Sequence, residues 1–168
     1  DYTSHVAACY SSTNANDYKF GAVYGADKFI SLGLDKNKII LGTAAYGKAY
    51  SVTGTSTSTT YPGLGVSAKL TQITGVSGSF ASGTIYYTGI ANLMTNPNYK
   101  LYTEMNNGKV VGSYLYNDID KIFITFDSSL AVKSKCEYAK ANGMGIMVWA
   151  YGEDATDTIV DTICDNLK

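Results

Sequence analysis

The sequence has no arginine: all thirteen of its cations are lysines. Without a guanidinium, the planar two-point clamp on phosphate or carboxylate is unavailable. Charge of either sign is scarce, with 16% Asp, Glu, Lys and Arg and a net of −1, which argues against a nucleic-acid partner. No run approaches the roughly 18 consecutive apolar residues of a membrane-crossing helix. The N-terminus carries no signal-peptide pattern. Asp1-Tyr2-Thr3 begins without Met and with no helix or strand leading into it, as a fragment of a longer chain would. The single histidine, His5, has no Ser or Cys nucleophile at a readable spacing, so a triad is unsupported. The three cysteines, Cys9, Cys136 and Cys164, are widely separated, form no metal-ligand pattern and read first as buried thiols. No metal or cofactor is implied, and the redox compartment stays open.

What is present points to one domain with a real core: 168 residues, 45% of them apolar. Fifteen tyrosines suit polar, partly apolar ligands such as sugars, although Tyr also fills β-rich cores. Residues 17–33 carry Phe20, Val23, Tyr24, Phe29 and Ile30 at near-helical spacing, with Gly33 as a stop. A polar turn, Asp35 to Lys38, leads into "IILGTAAYG", an apolar run of strand length. The same grammar returns near the end. "SSLAVKSKCEYAKANG" is a helix closing at Asn142-Gly143, "MGIMVWAYG" a buried strand, and "DATDTIVDTICDNLK" a final helix. Helix followed by an unbroken apolar strand, twice over, predicts an α/β fold with parallel strands at about 40–46 and 144–150. Both runs end in Tyr-Gly, and ligands of such folds gather at the carboxyl ends of the strands.

The middle of the chain reads differently. Ser51 to Thr60 is a Ser/Thr/Gly-rich loop, and residues 61–122 break into short alternating pieces. Asn107-Gly108 in "EMNNGKVVG" predicts a hairpin turn, so an inserted antiparallel module with a helix near 84–95 is the simplest reading. Asp118-Ile119-Asp120 reads as a turn. Glu153, Asp154, Asp157, Asp161 and Asp165 read as a solvated helix face, with the first two complementing the helix dipole. "GMGIM" precedes its strand and lacks the third glycine of a dinucleotide fingerprint. Trp149, the only tryptophan, lies two residues before the Tyr-Gly end of a parallel strand. Position alone leaves a core residue and a ligand contact equally open.

These motifs resemble glycoside hydrolase family 18, the chitinases and their relatives. "KIILGTAAYGKAY" is similar to the family's seventh barrel strand, "GVSGSFASGTIYYTGIANLM" to the start of its insertion domain, and "FITFDSSLAVKSKCEYAKANGMGIMVWAYGED" to its last helix and eighth strand. "DY" at the start is similar to the tail of the sixth-strand motif. The resemblance implies the C-terminal part of a (β/α)8 TIM barrel, residues 1–47 and 123–168 (end of strand 6 to helix 8), with an inserted α+β antiparallel domain at 48–122. It also implies that Trp149 floors the site of an N-acetylglucosamine ring, in a groove lined by Tyr46 and Asp1, beside Tyr2. Lys48, where the family often has Arg, is expected close to the Asp1 carboxylate.

Family chemistry is retaining hydrolysis assisted by the substrate's own N-acetyl oxygen, with a general acid at the end of a DxxDxDxE motif. That motif is absent from this chain, so no catalytic residue is assigned within it. Gly89 stands where the insertion domain usually has Glu, and Gly152 where an Asp commonly follows the tryptophan. The expected partners are chitin or N-acetylglucosamine oligosaccharides and the missing N-terminal half of the barrel. The resemblance alone favours secretion. Three readings follow: part of a chitinase, part of a chitinase-like lectin that binds without cleaving, or an independent α/β interaction module.

Overall fold

The computed structural model describes residues 1–13 and 19–168. Among them are four α-helices: α1 (Ala22–Ser31), α2 (Tyr87–Met94), α3 (Ser129–Asn142) and α4 (Thr158–Leu167). The strands are β1 (Ile40–Ala44), β2 (Tyr46–Val52), β3 (Ala68–Leu70), β4 (Thr84–Tyr86), β5 (Lys100–Asn106), β6 (Lys109–Asn117), β7 (Ile122–Phe126) and β8 (Gly145–Trp149). The first helix was expected from residue 17, but residues 17 and 18 lie outside the described residues, and Phe20 precedes the helix itself.

β1 and β8 pair in parallel as a two-stranded sheet, with Ile40 opposite Gly145, Gly42 opposite Met147 and Ala44 opposite Trp149. Period-two alternation then sorts the side chains. Leu41, Thr43, Ile146 and Val148 point to the helical layer. There Leu41 and Ile146 meet Ile39, Ala26, Ala139 and Met144, while Val148 packs with the main core. The opposite face carries Ile40, Gly42, Ala44, Gly145, Met147 and Trp149, a small residue facing a large one at each level. That face is open: Ile40, Met147 and Trp149 are 64%, 42% and 64% exposed. In a parallel sheet both faces are normally covered.

The remaining strands form one antiparallel sheet in the order β3-β2-β7-β6-β5, with β4 pairing the start of β2. It takes in Tyr46 and Gly47 at one end and Ile122–Phe126 at the other, reaching a little beyond residues 48–122. The apolar run "IILGTAAYG" therefore serves two sheets: the chain leaves β1 at Ala45 and enters β2 at Tyr46. One face of this sheet packs on α2, α3 and α4 through Ala49, Ile85, Ile90, Leu115, Phe126, Val132 and Ile159. The other buries Tyr50, Tyr114, Tyr116 and Phe123, with Tyr61 and Leu64 packed beside them.

Local rules account for the ends of these elements. Asn107 and Gly108 take φ of 49° and 74°, the left-handed pair that a two-residue hairpin needs. Gly143 closes α3 at φ 68°, and Ser128 opens it by accepting from the Ala131 N–H. Asp118 to Asp120 form a turn on Asn117, whose Oδ1 accepts from both the Ile119 and Asp120 N–H groups. Of the acidic run, Asp157, Asp161 and Asp165 are exposed on or beside α4. Asp154 departs from the solvated reading. It is buried, and its carboxylate accepts from the Ile159 and Thr156 N–H groups, capping α4 from outside the helix. Cys9 and Cys136 are buried free thiols, whereas Cys164 is exposed on α4, against expectation. No described helix is long and apolar enough to cross a membrane.

Candidate functional site

A cleft of about 310 Å³ opens at the carboxyl end of the parallel pair. Gly42, Ala44, Met147 and Trp149 line it from the parallel strands, together with Tyr46, Phe20 and Val6 to Ala8. Trp149 and Phe20 are its exposed aromatic side chains beside Tyr46, and the peptide bond that follows Trp149 is cis. A flat indole so exposed beside a concave surface can stack on the C–H face of a ring whose hydroxyls reach the rim.

The sequence-expected residues divide into two groups. Tyr46 and Trp149 line this cleft together. Lys48, Asp1 and Tyr2 are not among its lining residues. Lys48 lies on the same face of β2 as Tyr46, and its ammonium donates to Thr84 Oγ1 at 2.8 Å and to the Ser82 carbonyl at 3.4 Å. The expected contact between Lys48 and the Asp1 carboxylate is not made, because the first residues run along β3 instead. Tyr2 bridges Ser67, the Thr3 N–H donates to the Val66 carbonyl, and the Ala68 N–H donates to the Asp1 carbonyl. Ala68 in turn pairs with Val52, at the far end of β2 from Tyr46. At about 3.3 Å per residue, roughly six strand residues or about 20 Å separate the two levels.

A buried ion pair and a buried histidine–carboxylate contact escaped the sequence. Lys135 Nζ lies 2.7 Å from Asp127 Oδ2, with both side chains almost fully buried at the edge of the cleft. The pair also occupies the backbone edge of β1. The Ala45 N–H donates to the Trp149 carbonyl and the Gly145 N–H to the Ile39 carbonyl, so alternation turns Gly42 and Ala44 toward the open edge. There Lys135 donates to the Gly42 carbonyl at 3.2 Å, and Asp127 accepts from the Ala44 N–H at 2.9 Å. Burial raises the nearby Cys9 thiol to about 12, which makes it an inert packing group.

The second pair fixes the N-terminal segment. His5 Nε2 lies 3.0 Å from Glu104 Oε2 on β5, and that carboxylate also accepts from the Ser12 hydroxyl and from the Thr13 N–H and hydroxyl. Burial pushes the Glu104 carboxyl upward, but the bonds from His5 and Thr13 outweigh it and hold the group at about 2. A carboxyl depressed in the folded state adds stability above its unfolded value, near 4.5, and loses it as pH falls toward 2. Unfolding midpoints between pH 6 and pH 2 should fall steeply for the native chain. The Glu104→Gln variant should start on the order of 3 kcal/mol less stable and run flatter over the same interval. Parallel curves for the two proteins would remove Glu104 from the acid limb. No local pattern could have paired His5 with Glu104; only the scarcity of His and Glu hinted that each had a specific task.

The family model for glycosyl hydrolases family 18 matches residues 1–154, and the chain belongs to that family. Curated relatives include probable chitinase 10 of Drosophila melanogaster, 27% identical over 157 residues that cover 90% of this chain and 6% of that protein. A chitinase-like effector of Moniliophthora perniciosa is 28% identical over 172 residues, covering 89% of this chain and 39% of the effector. Among solved structures, a chitinase from Rhizomucor miehei superimposes with a TM-score of 0.81 at 18% identity, over 99% of this chain and 49% of its own. A mutant class V chitinase from Nicotiana tobaccum, in complex with NAG4, gives 0.77 at 21% identity, over 98% of this chain and 43% of its own. The mixed α/β fold is thus that of the matched portion of these chitinases. The chain spans less than half the length of each of these four relatives.

Proposed function

We propose that this chain forms the C-terminal part of a (β/α)8 barrel with an inserted antiparallel domain, and supplies the sugar-binding floor of a chitinase. One observation carries the reading: the open face of β1 and β8, small residue against large, ends at an indole 64% exposed in a cleft. Such a face belongs inside a barrel, where side chains from further strands would complete the layers. In the assembled site an N-acetylglucosamine ring rests on Trp149 with Tyr46 beside it and Lys48 further along the same wall. Asp1 and Tyr2 join the cleft only once the rest of the barrel draws the N-terminal segment away from β3. The whole protein then cleaves β-1,4 links between N-acetylglucosamine units by substrate-assisted retaining hydrolysis, its general acid lying on a strand outside this chain.

The missing DxxDxDxE motif leaves a second reading in play, a chitinase-like lectin with the same floor and no acid anywhere. A glutamate at the end of that motif in the complete protein selects the enzyme. Both readings predict the same binding result. Trp149→Ala in the complete protein should weaken a chitin oligosaccharide roughly 5- to 150-fold by titration calorimetry, the scale of burying one large side chain. An unchanged affinity would return Trp149 to a structural role and remove the sugar site with it.

A further inference from the structure

We infer that Asn107 is a site of spontaneous covalent modification: it loses its side-chain amide through attack by the following glycine nitrogen, which leaves aspartate or isoaspartate at the tip of the β5–β6 hairpin. The sequence holds two Asn-Gly pairs, Asn107-Gly108 and Asn142-Gly143. Glycine is the least hindered neighbour for this reaction, because no Cβ shields its nitrogen. Local sequence therefore treats the two pairs alike, and the fold separates them.

The step needs no reagent but water, and nothing in it is oxidised or reduced. The Gly108 nitrogen forms a bond to Asn107 Cγ, the Cγ–Nδ2 bond breaks, and ammonia leaves carrying the proton of the Gly108 N–H. Water then opens the cyclic imide at either carbonyl. Opening at Cγ gives aspartate. Opening at the main-chain carbonyl gives isoaspartate, whose backbone runs through the former side chain and is one carbon longer. The reaction requires a glycine N–H free to lose its proton and an asparagine amide free to turn onto it.

Both conditions hold at position 107. Asn107 and Gly108 are exposed, and neither the Asn107 side-chain amide nor the Gly108 N–H has a hydrogen-bond partner among the described residues. The ladder ends at the Asn106–Lys109 pair, which leaves the two turn residues outside it. A Cβ added to Gly108 would meet no atom within 4 Å, so nothing crowds the attack. Neither condition holds at position 142. Asn142 Nδ2 donates to the Tyr138 carbonyl at 2.9 Å, and the Gly143 N–H donates to the Lys140 carbonyl at 3.3 Å in the cap of α3. Asn37 Oδ1 lies 3.0 Å from where a Gly143 Cβ would stand and closes that site from the side. The tip at 107 also adjoins an anchor. Asn106 Nδ2 donates to the Ser11 carbonyl at 3.0 Å, and Glu104 on the same strand holds His5 and Thr13. Isoaspartate lengthens a turn whose two-residue geometry sets the Asn106–Lys109 pairing, and so weakens the end of the hairpin beside that anchor.

The test incubates the complete protein that carries this chain at mildly alkaline pH and follows both Asn-Gly peptides by mass spectrometry, with chromatography that separates aspartate from isoaspartate. A second sample, unfolded in guanidinium chloride, reports the local chemistry without the fold. In the native protein the Asn107 amide should be lost about tenfold faster than the Asn142 amide, and in guanidinium the two rates should converge. Isoaspartate should appear together with aspartate at position 107. Equal native rates, or a ratio that unfolding leaves unchanged, would overturn the inference, because sequence and not structure would then set the rates. Aspartate without isoaspartate would overturn the cyclic route. The purified isoaspartate form should unfold at a lower urea midpoint than Asn107→Asp, which carries the same charge on a backbone of normal length. Equal midpoints for those two proteins would overturn the effect on the hairpin.

Discussion

Lys135→Met is expected to destabilise the protein by about 3–5 kcal/mol, the cost of leaving a buried charge without its partner. Asp127 is fully buried; one of its oxygens, Oδ1, already has no hydrogen-bond partner among the described residues, and the other holds Lys135 and the Ala44 N–H. Removing the ammonium leaves that carboxylate with a single backbone donor. It also strips the Gly42 carbonyl of the lysine that covers it at the strand edge. Neutralising both members should cost less than removing one. The Asp127→Asn/Lys135→Met double variant keeps an acceptor for the Ala44 N–H and no longer buries an unpaired charge. Urea unfolding at neutral pH reads all three proteins. A single variant as stable as the native chain would mean that water or a rearranged side chain already compensates Asp127. A double variant worse than the single one would mean that the pair acts mainly through packing.

That pair marks where reading the sequence stops. Strand β8 and helix α3 were legible because "GIMVW" is a short apolar run behind a glycine stop, and Ser128 and Gly143 cap the helix by local rules. The hairpin at Asn107-Gly108 was legible for the same reason: a backbone at positive φ selects its residues. The break at Ala45 was not. Hydrophobicity is continuous through "IILGTAAYG", and only the partners of each half assign β1 to one sheet and β2 to another. β7 suffered likewise, since "KIFITF" reads as a strand but does not say which strands it joins.

The site divides along the same line. Trp149 ends β8 and Tyr46 follows the end of β1 to open β2, and both line the cleft, where position along the chain predicts position in the fold. Tyr86 and Phe80 carry no such signal. Neither lines the cleft: Tyr86 stands opposite Tyr46 through a cross-strand register and Phe80 meets Tyr86 through a hairpin, and no periodicity encodes either. Asp1 and Lys48 were expected together by analogy with an assembled barrel. In this structure β3 holds the first segment instead, which is a long-range preference that composition does not reveal.

The purified 168-residue chain should hydrolyse no fluorogenic chitobioside and should sediment as more than a monomer. The chain has three glutamates, and none lines the cleft. Glu104 is buried against His5 and held ionised well below neutral pH, so it has no proton to deliver. Glu137 lies on α3, 3.9 Å from Lys133 and exposed to solvent. Glu153 follows the indole, but it is not among the cleft's lining residues. Asp127 is the one carboxylate lining the cleft among the described residues, and its Oδ2 is already engaged by Lys135 and the Ala44 N–H. The expected association has a different cause. Among the described residues β8 has one side with no strand neighbour and the free side of β1 is met only by Lys135 and Asp127, while Ile40, Met147 and Trp149 present apolar side chains to water between those edges. Such edges and faces seek cover from another strand or another copy. Adding the remaining barrel segment of the parent protein should therefore reduce self-association and, if that segment carries the acid, bring turnover from background to a measurable rate. Hydrolysis by the chain alone would mean that one of the carboxyl groups just described moves into the cleft. A monodisperse monomer that binds no hydrophobic dye would mean that the β1 and β8 face is covered from within, and would favour an independent interaction module over a partial barrel.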